Sequence, residues 1–367
     1  MRSAFFAHTT LIFDLHNPTS DHIPGYRSQL STYRNESIME FPQFILGASQ
    51  FGATWTEQQA VELAPTAKDA QITRLDTSPI YPMHNQGASE KYIGAGSYAS
   101  KGFKIDTKVL FAADGKGHIT PEAVEKSITA SLERIGVGKL NVFYVHAPDH
   151  TTPIATQAAA MDAQHKKGRF AHLGVSNFSI AMLQEWLDVA DEKNYVKPTV
   201  FQGHYNLLNR TYEKELFPFL KKHGIEFVAY SPLAGGFLTG KLTLAKDEEE
   251  LKGTRFEVAQ TNIPGMIYRN WFDKPSMHDA VRKLAKACEP HGVSVAEASV
   301  RWLVFHSSLV GWEGSGVIIG PSRLAQYEMY ISSRSQGKLP EDLVGEIEGL
   351  WEGVREDAAS IVDFGGK

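Results

Sequence analysis

At 367 residues, with 42% hydrophobic and 22% charged side chains, the chain has the composition of a globular protein whose core is large enough to fold alone. A formal net charge of -5 supplies no overall field to attract nucleic acid or an anionic membrane, so any anion site must be local. The lone cysteine, Cys288, excludes an intramolecular disulfide and a cysteine-built metal site, and it fits a reducing, cytoplasmic setting.

In chain order, Arg2 precedes an apolar run from Ala4 to Phe13, but His8, Thr9 and Thr10 interrupt it and Asp14 follows. That is a poor signal peptide, and Asp14 and Asp21 argue against a mitochondrial presequence. Residues 1–39 are expected to form a poorly ordered N-terminal extension, with residues 40–367 as one domain. No later apolar run reaches the roughly 18 residues of a membrane span. Short apolar, β-branched runs then recur at Phe44 to Leu46, Ile72 to Leu75, Phe103 to Thr107, Leu140 to Val145 and His172 to Val175. They continue at Pro198 to Phe201, Glu226 to Ala229 and Gly316 to Ile319. Between them lie helical patterns. Thr120 is placed to N-cap, Pro121 suits the first helical position, Val124, Ile128, Leu132 and Ile135 make one stripe, and Gly136 closes the helix. Ser294 with Glu297 reads as a capping box. The helical stretch Met277 to Cys288 precedes that box with no strand between, so one of these two helices is an addition to the basic repeat, and Glu341 to Val354 reads as a closing C-terminal helix. Alternation of strand and helix eight times over predicts an α/β fold, a (β/α)8 TIM barrel with extra C-terminal helices; an open doubly wound sheet is the alternative.

A barrel of this kind places its chemistry at the carboxyl ends of its strands. Asp76 ends the second run, Tyr81 follows in Leu-Asp-Thr-Ser-Pro-Ile-Tyr, Lys108 ends the third and His146 ends the fourth. Together these residue types suit reduction of a carbonyl. A tyrosine hydroxyl with a reference pKa near 10 is a poor acid until a cation stabilises its phenolate. Lys108 supplies that charge, Asp76 holds the ammonium, and His146 donates to the substrate oxygen. Each residue alone has a structural explanation. Their succession after strands two, three and four brings the catalytic explanation level with it, and residue types and spacing alone leave both open.

Five stretches make the reading more specific: FYVHAPDHTTP at 143–153, LGVSNFS at 173–179, TVFQGHYNLLNR at 199–210, ELFPFLKKHGIEFVAYSPLAGGFLTGK at 215–241 and SVAEASVRWLVFHSSL at 294–309. In these the chain resembles the aldo-keto reductase superfamily, most of all its aflatoxin-aldehyde reductase group. The resemblance implies the Asp, Tyr, Lys, His tetrad at Asp76, Tyr81, Lys108 and His146, and a nicotinamide cofactor, NADPH, extended across the barrel. It implies Ser176, Asn177 and Gln202 on the carboxamide, Tyr230 stacked on the nicotinamide ring, and Ser231, Leu233, Gly235 and Lys241 along the pyrophosphate. Ser322, Arg323 and Gln326 fall at the adenosine end, Arg323 facing a 2′-phosphate. The chain departs from the family at Met329 and Tyr330, which replace an acidic or amide residue and an asparagine. Gly94, Gly96 and Ala99 fit a G-x-G-x-x-A pattern but are read as a surface turn rather than a phosphate loop.

Phe51, Trp55, Tyr268, Arg269 and Trp271 are expected to border the carbonyl pocket, with Arg269 available for a substrate carboxylate. The sequons at Asn35, Asn177 and Asn209 are read as chance. The function expected is reduction of an aldehyde or ketone to an alcohol. The alternatives are aryl-alcohol oxidation in the reverse direction and an NADPH-binding regulatory subunit resembling potassium-channel β subunits. The expected partner is a small-molecule carbonyl substrate, with a homodimer left open. No metal, nucleic acid or membrane is expected.

Overall fold

Alternating strand and helix segments close into a cylinder in the computed structural model, which describes residues 41–111, 116–259 and 262–362; the extension expected over residues 1–39 lies outside them. The strands are β1 (Gln43–Gly47), β2 (Arg74–Asp76), β3 (Lys104–Lys108), β4 (Leu140–Val145), β5 (Phe170–Ser176), β6 (Pro198–His204), β7 (Glu226–Tyr230) and β8 (Gly316–Ile319). They pair in sequence order, all parallel, and β1 closes on β8 through Gln43↔Gly316 to Leu46↔Ile319. Alternate strand residues point inward, and Ile45, Val142, Tyr144, Val200, Val228 and Ile318 fill the barrel. Gly174 is required beside them, since a Cβ there would lie 2.2 Å from the Tyr144 ring. At the amino-terminal end of the barrel, Arg74 Nε donates to Asp106 Oδ2 at 2.5 Å, and Asn141 Nδ2 donates to Asp106 Oδ1 at 2.6 Å. Both ends of this buried ion pair are thereby hydrogen-bonded.

The second core lies between the barrel and the surrounding helices. Helix Pro121–Ile135 begins and ends as its sequence requires: Thr120 Oγ1 accepts from Ala123 N at 3.2 Å, and Gly136 closes it at φ 75°. Leu132 is only partly buried, and Ser127 and Ser131 fill the inner face with Val124, Ile128 and Ile135. The capping box at Ser294 forms by half. Ser294 Oγ accepts from Glu297 N at 3.1 Å, but the Glu297 carboxylate turns outward to Arg301 Nη1 at 2.8 Å, a stronger partner one turn on. Helices Pro275–Cys288 and Val295–Phe305 follow one another without a strand. Pro275–Cys288 packs on Glu341–Ala359, whereas Val295–Phe305 packs on Leu324–Ser335 in the outer ring, so the former pair is the addition to the repeat. Of the three residues of the G-x-G-x-x-A pattern, Gly96 and Ala99 lie in a turn as expected, and Gly94 does not. It lies in helix Ala88–Ala95, where a Cβ would meet Arg134 O at 2.5 Å, and it serves close helix packing.

Candidate active site

The carboxyl ends of β2 to β7 bring the expected tetrad and nicotinamide residues into one network. Lys108, the last residue of β3, is fully buried, and its ammonium donates to Asp76 Oδ1 at 2.7 Å, Asp76 Oδ2 at 2.8 Å and Thr77 O at 2.8 Å. All three ammonium protons are thereby engaged. Gln202 Nε2 donates to Asp76 Oδ2 at 2.9 Å from across the barrel, leaving the Gln202 carbonyl oxygen as an acceptor. Ser176 ends β5 in register with Gln202.

Above this layer the Tyr81 ring lies 5.4 Å from Lys108 Nζ and meets the His146 ring edge-on at 5.9 Å. Asn177 is held in the left-handed region at φ 64°; its Nδ2 donates to His146 O at 3.3 Å and its Oδ1 accepts from Tyr230 Oη at 2.9 Å. Tyr230 is therefore tied by its hydroxyl, with its ring fixed at the end of β7. Three non-glycine residues with left-handed backbone, Asn177, Ser231 (φ 57°) and Ala234 (φ 50°), follow β5 and β7. Strain of this kind concentrates at functional sites.

The electrostatics differ from the expectation that Lys108 loosens the Tyr81 proton. The Asp76 carboxylate cancels the ammonium at contact distance. Burial, then Asp76, then Tyr268 push the Tyr81 hydroxyl well above its ordinary range, with Arg255 opposing. Tyr81 holds its proton firmly. Burial, then the Lys108 charge, then His118 push His146 well below the ordinary imidazole value, so its ring is neutral.

After β7, Gly235 (φ 66°) and Gly236 (φ 108°) let the chain turn tightly beneath Tyr268. A Cβ on Gly235 would lie 2.2 Å from the Tyr268 ring, and the Tyr268 hydroxyl shares a short hydrogen bond with Ser231 Oγ. Leu233 is buried and Lys241 exposed. After β8, Ser322 N and Oγ both donate to Gln326 Oε1, at 2.7 and 2.9 Å. Arg323 is exposed at the N-cap of helix Leu324–Ser335. Met329 packs partly buried against the outer core, and Tyr330 is buried edge-on to Phe44 at 6.4 Å.

Among the residues expected to border the pocket, Phe51 and Trp55 belong to the core, and Trp55 Nε1 donates to Pro321 O at 2.8 Å. Arg269 does not wait for a substrate carboxylate: it donates to Phe256 O at 2.5 Å, Asp273 Oδ2 at 3.0 Å and Glu248 Oε2 at 3.3 Å. It fastens the segment that crosses the loop after β7. Three residues escaped the sequence reading. Ser78 bonds the His146 ring at 3.3 Å, His204 is buried behind Tyr230, and Arg255 lies 4.9 Å over the Tyr268 ring. Ser78 and His204 stand within or beside the quoted motifs, which was the available clue. Arg255 sits in a long loop that carries no periodicity.

The Aldo/keto reductase family model matches residues 43–352. The chain is 36% identical over 327 residues to Oxidoreductase sirO of Leptosphaeria maculans, covering 86% of this chain and 96% of that protein. It is 33% identical over 315 residues to human Aflatoxin B1 aldehyde reductase member 2, covering 84% and 86%. It is 30% identical over 319 residues to human Aldo-keto reductase family 7 member A3, covering 84% and 94%. A closed eight-stranded parallel barrel and a family match over nearly its whole length identify the chain as a member of the aldo/keto reductase family, an oxidoreductase of carbonyl groups.

Proposed function

We propose that the protein reduces an aldehyde or ketone to the alcohol with NADPH, and that Tyr81 delivers the proton. The observation that carries this reading is the unbroken contact set around Tyr81: Lys108 with Asp76 and Gln202 below it, and His146 with Asn177 and Tyr230 beside it. The donor set fits a nicotinamide. Ser176 Oγ, Asn177 Nδ2 and the Gln202 carbonyl oxygen offer both donors and an acceptor, as a carboxamide needs, and Tyr230 offers an immobilised ring face. Gly235 and Gly236 open the backbone after β7 toward a pyrophosphate, and exposed Arg323 at a helix start favours a 2′-phosphate. When bound, the cofactor supplies hydride from C4.

The protein's own part is proton and charge management. The neutral His146 ring orients the carbonyl oxygen. Tyr81 retains its proton until that oxygen gains alkoxide character, and then gives up Oη–H to it. The buried Asp76–Lys108 pair fixes the floor of the site and leaves no unpaired charge there. Exposed Met83, Leu110, Val258, Ile263, Met266 and Ile267 lie in the segments that leave β2, β3 and β7. Exposed apolar side chains on these segments, which leave the carboxyl ends of the strands, support an apolar carbonyl substrate. An aldehyde panel with NADPH oxidation as readout, alongside NADPH and NADH titrations, tests the reading. Turnover of apolar aldehydes with tighter NADPH than NADH binding supports it; NADPH binding without turnover contradicts it and leaves a regulatory NADPH-binding protein.

A further inference from the structure

We propose that Ser78 is a positioning residue that sets the tautomer of His146, placing the ring proton on Nε2 and so presenting an N–H donor to the substrate oxygen. Ser78 is two residues past Asp76, fully buried, and its hydroxyl lies 3.3 Å from His146 Nδ1. Its second hydrogen-bond neighbour among the described residues is the Ile80 backbone N–H at 3.4 Å. That N–H is a donor and occupies a lone pair of Ser78 Oγ. Among the described residues the hydroxyl proton then has one acceptor within reach, His146 Nδ1. Were Nδ1 protonated, both neighbours of Oγ would be donors and a fully buried hydroxyl proton would face none, an arrangement that native structures avoid.

The rest of the surroundings leave the choice to Ser78. The three Lys108 protons are committed to Asp76 and Thr77, so the ammonium cannot donate to the imidazole. Asn177 holds His146 through its backbone carbonyl, which fixes the residue without selecting a nitrogen. Tyr81 and Phe111 meet the ring edge-on at 5.9 and 6.2 Å and restrict its rotation. Because burial keeps the imidazole neutral, only one nitrogen carries a proton, and the hydrogen bond made by the other decides which. The inference rests on the proposed function for what the Nε2 proton does; the tautomer itself does not depend on it.

The test is nitrogen NMR of the full chain with isotope-labelled histidine, the His146 signals being assigned by their loss in His146→Asn. Wild type and Ser78→Thr, which keeps the hydroxyl, are expected to show His146 as the Nε2–H tautomer. In Ser78→Ala the signals are expected to move toward a tautomer mixture. Where the aldehyde panel has shown turnover, Ser78→Ala is expected to lower kcat by roughly tenfold, the worth of one hydrogen bond, with the Kd for NADPH unchanged, and Ser78→Thr restores it. An Nδ1–H tautomer in wild type, or the same tautomer in wild type and Ser78→Ala, overturns the proposal. Absence of turnover in wild type overturns the reductase reading and leaves the tautomer result standing.

Discussion

His204 makes the protein sensitive to acid by an amount that its surroundings allow to be worked out. The residue ends β6 and is fully buried, with ring centroids of Tyr230, Trp271 and Phe272 at 5.1, 5.3 and 5.7 Å. Its Nδ1 accepts from Asn209 Nδ2 at 3.2 Å, while Nε2 has no hydrogen-bond partner among the described residues. Burial among these rings pushes its pKa down to about 3, against about 6.5 for an unfolded histidine. Between those values the unfolded chain takes up a proton that the native protein refuses, so stability falls as pH falls from about 6.5 toward 3. At pH 5 the loss from this one residue is about 2 kcal/mol, from 1.36 kcal/mol per pH unit over roughly 1.5 units. His204→Phe keeps the ring contacts and removes the titration, and Asn209 Nδ2 retains the residue-204 carbonyl at 3.0 Å. Chemical denaturation of both proteins at pH 7 and pH 5 reads the difference directly. Wild type is expected to lose about 2 kcal/mol more than His204→Phe over that interval. His146 and the other histidines contribute equally to both proteins and cancel. Equal losses in the two would refute the reasoning.

Lys108→Met leaves the Asp76 carboxylate buried with Gln202 as its one side-chain donor among the described residues, and it is expected to cost roughly 3–5 kcal/mol. Adding Asp76→Asn should recover most of that in denaturant titrations; no recovery would mean that packing, not charge, holds the pair. Gly235→Ala forces a side chain into the left-handed region and against the Tyr268 ring, so it is expected to lower Tm and cost roughly 1–3 kcal/mol. Tyr268→Ala in the same chain should return the steric part of that loss, and a Gly235→Ala protein as stable as wild type would contradict the packing described.

The strands were legible because a barrel strand is a short apolar run bounded by turns: β4 and β8 begin and end where the pattern does. β2 was legible as a strand but not in its bounds: it runs Arg74–Asp76 rather than Ile72 to Leu75, since Ile72 is needed to leave helix Glu57–Asp69, where its N–H bonds Ala67 O at 2.9 Å. Asp76, Lys108 and His146 were readable for the same reason as their strands, because strand ends converge in a closed barrel. What the site does electrostatically was not readable. A lysine near a tyrosine suggests a weakened proton, but contact distances decide that Asp76 neutralises the lysine, and burial then governs Tyr81. Arg269 shows the same limit: its charge was legible, and its engagement by Phe256 O, Asp273 and Glu248 depends on how an aperiodic loop folds back. Glu297 likewise had two partners within a helical turn, and local spacing alone does not rank them.

The proton transfer proposed for Tyr81 is read by single-turnover reduction of an accepted aldehyde by NADPH-loaded Tyr81→Phe. The rate is expected to fall by at least about 100-fold, the usual worth of a positioned general acid, with the Kd for NADPH within about twofold of wild type, since among the described residues the Tyr81 hydroxyl bonds none of those proposed to hold the cofactor. A Tyr81→Phe protein that reduces the aldehyde at the wild-type rate would contradict it.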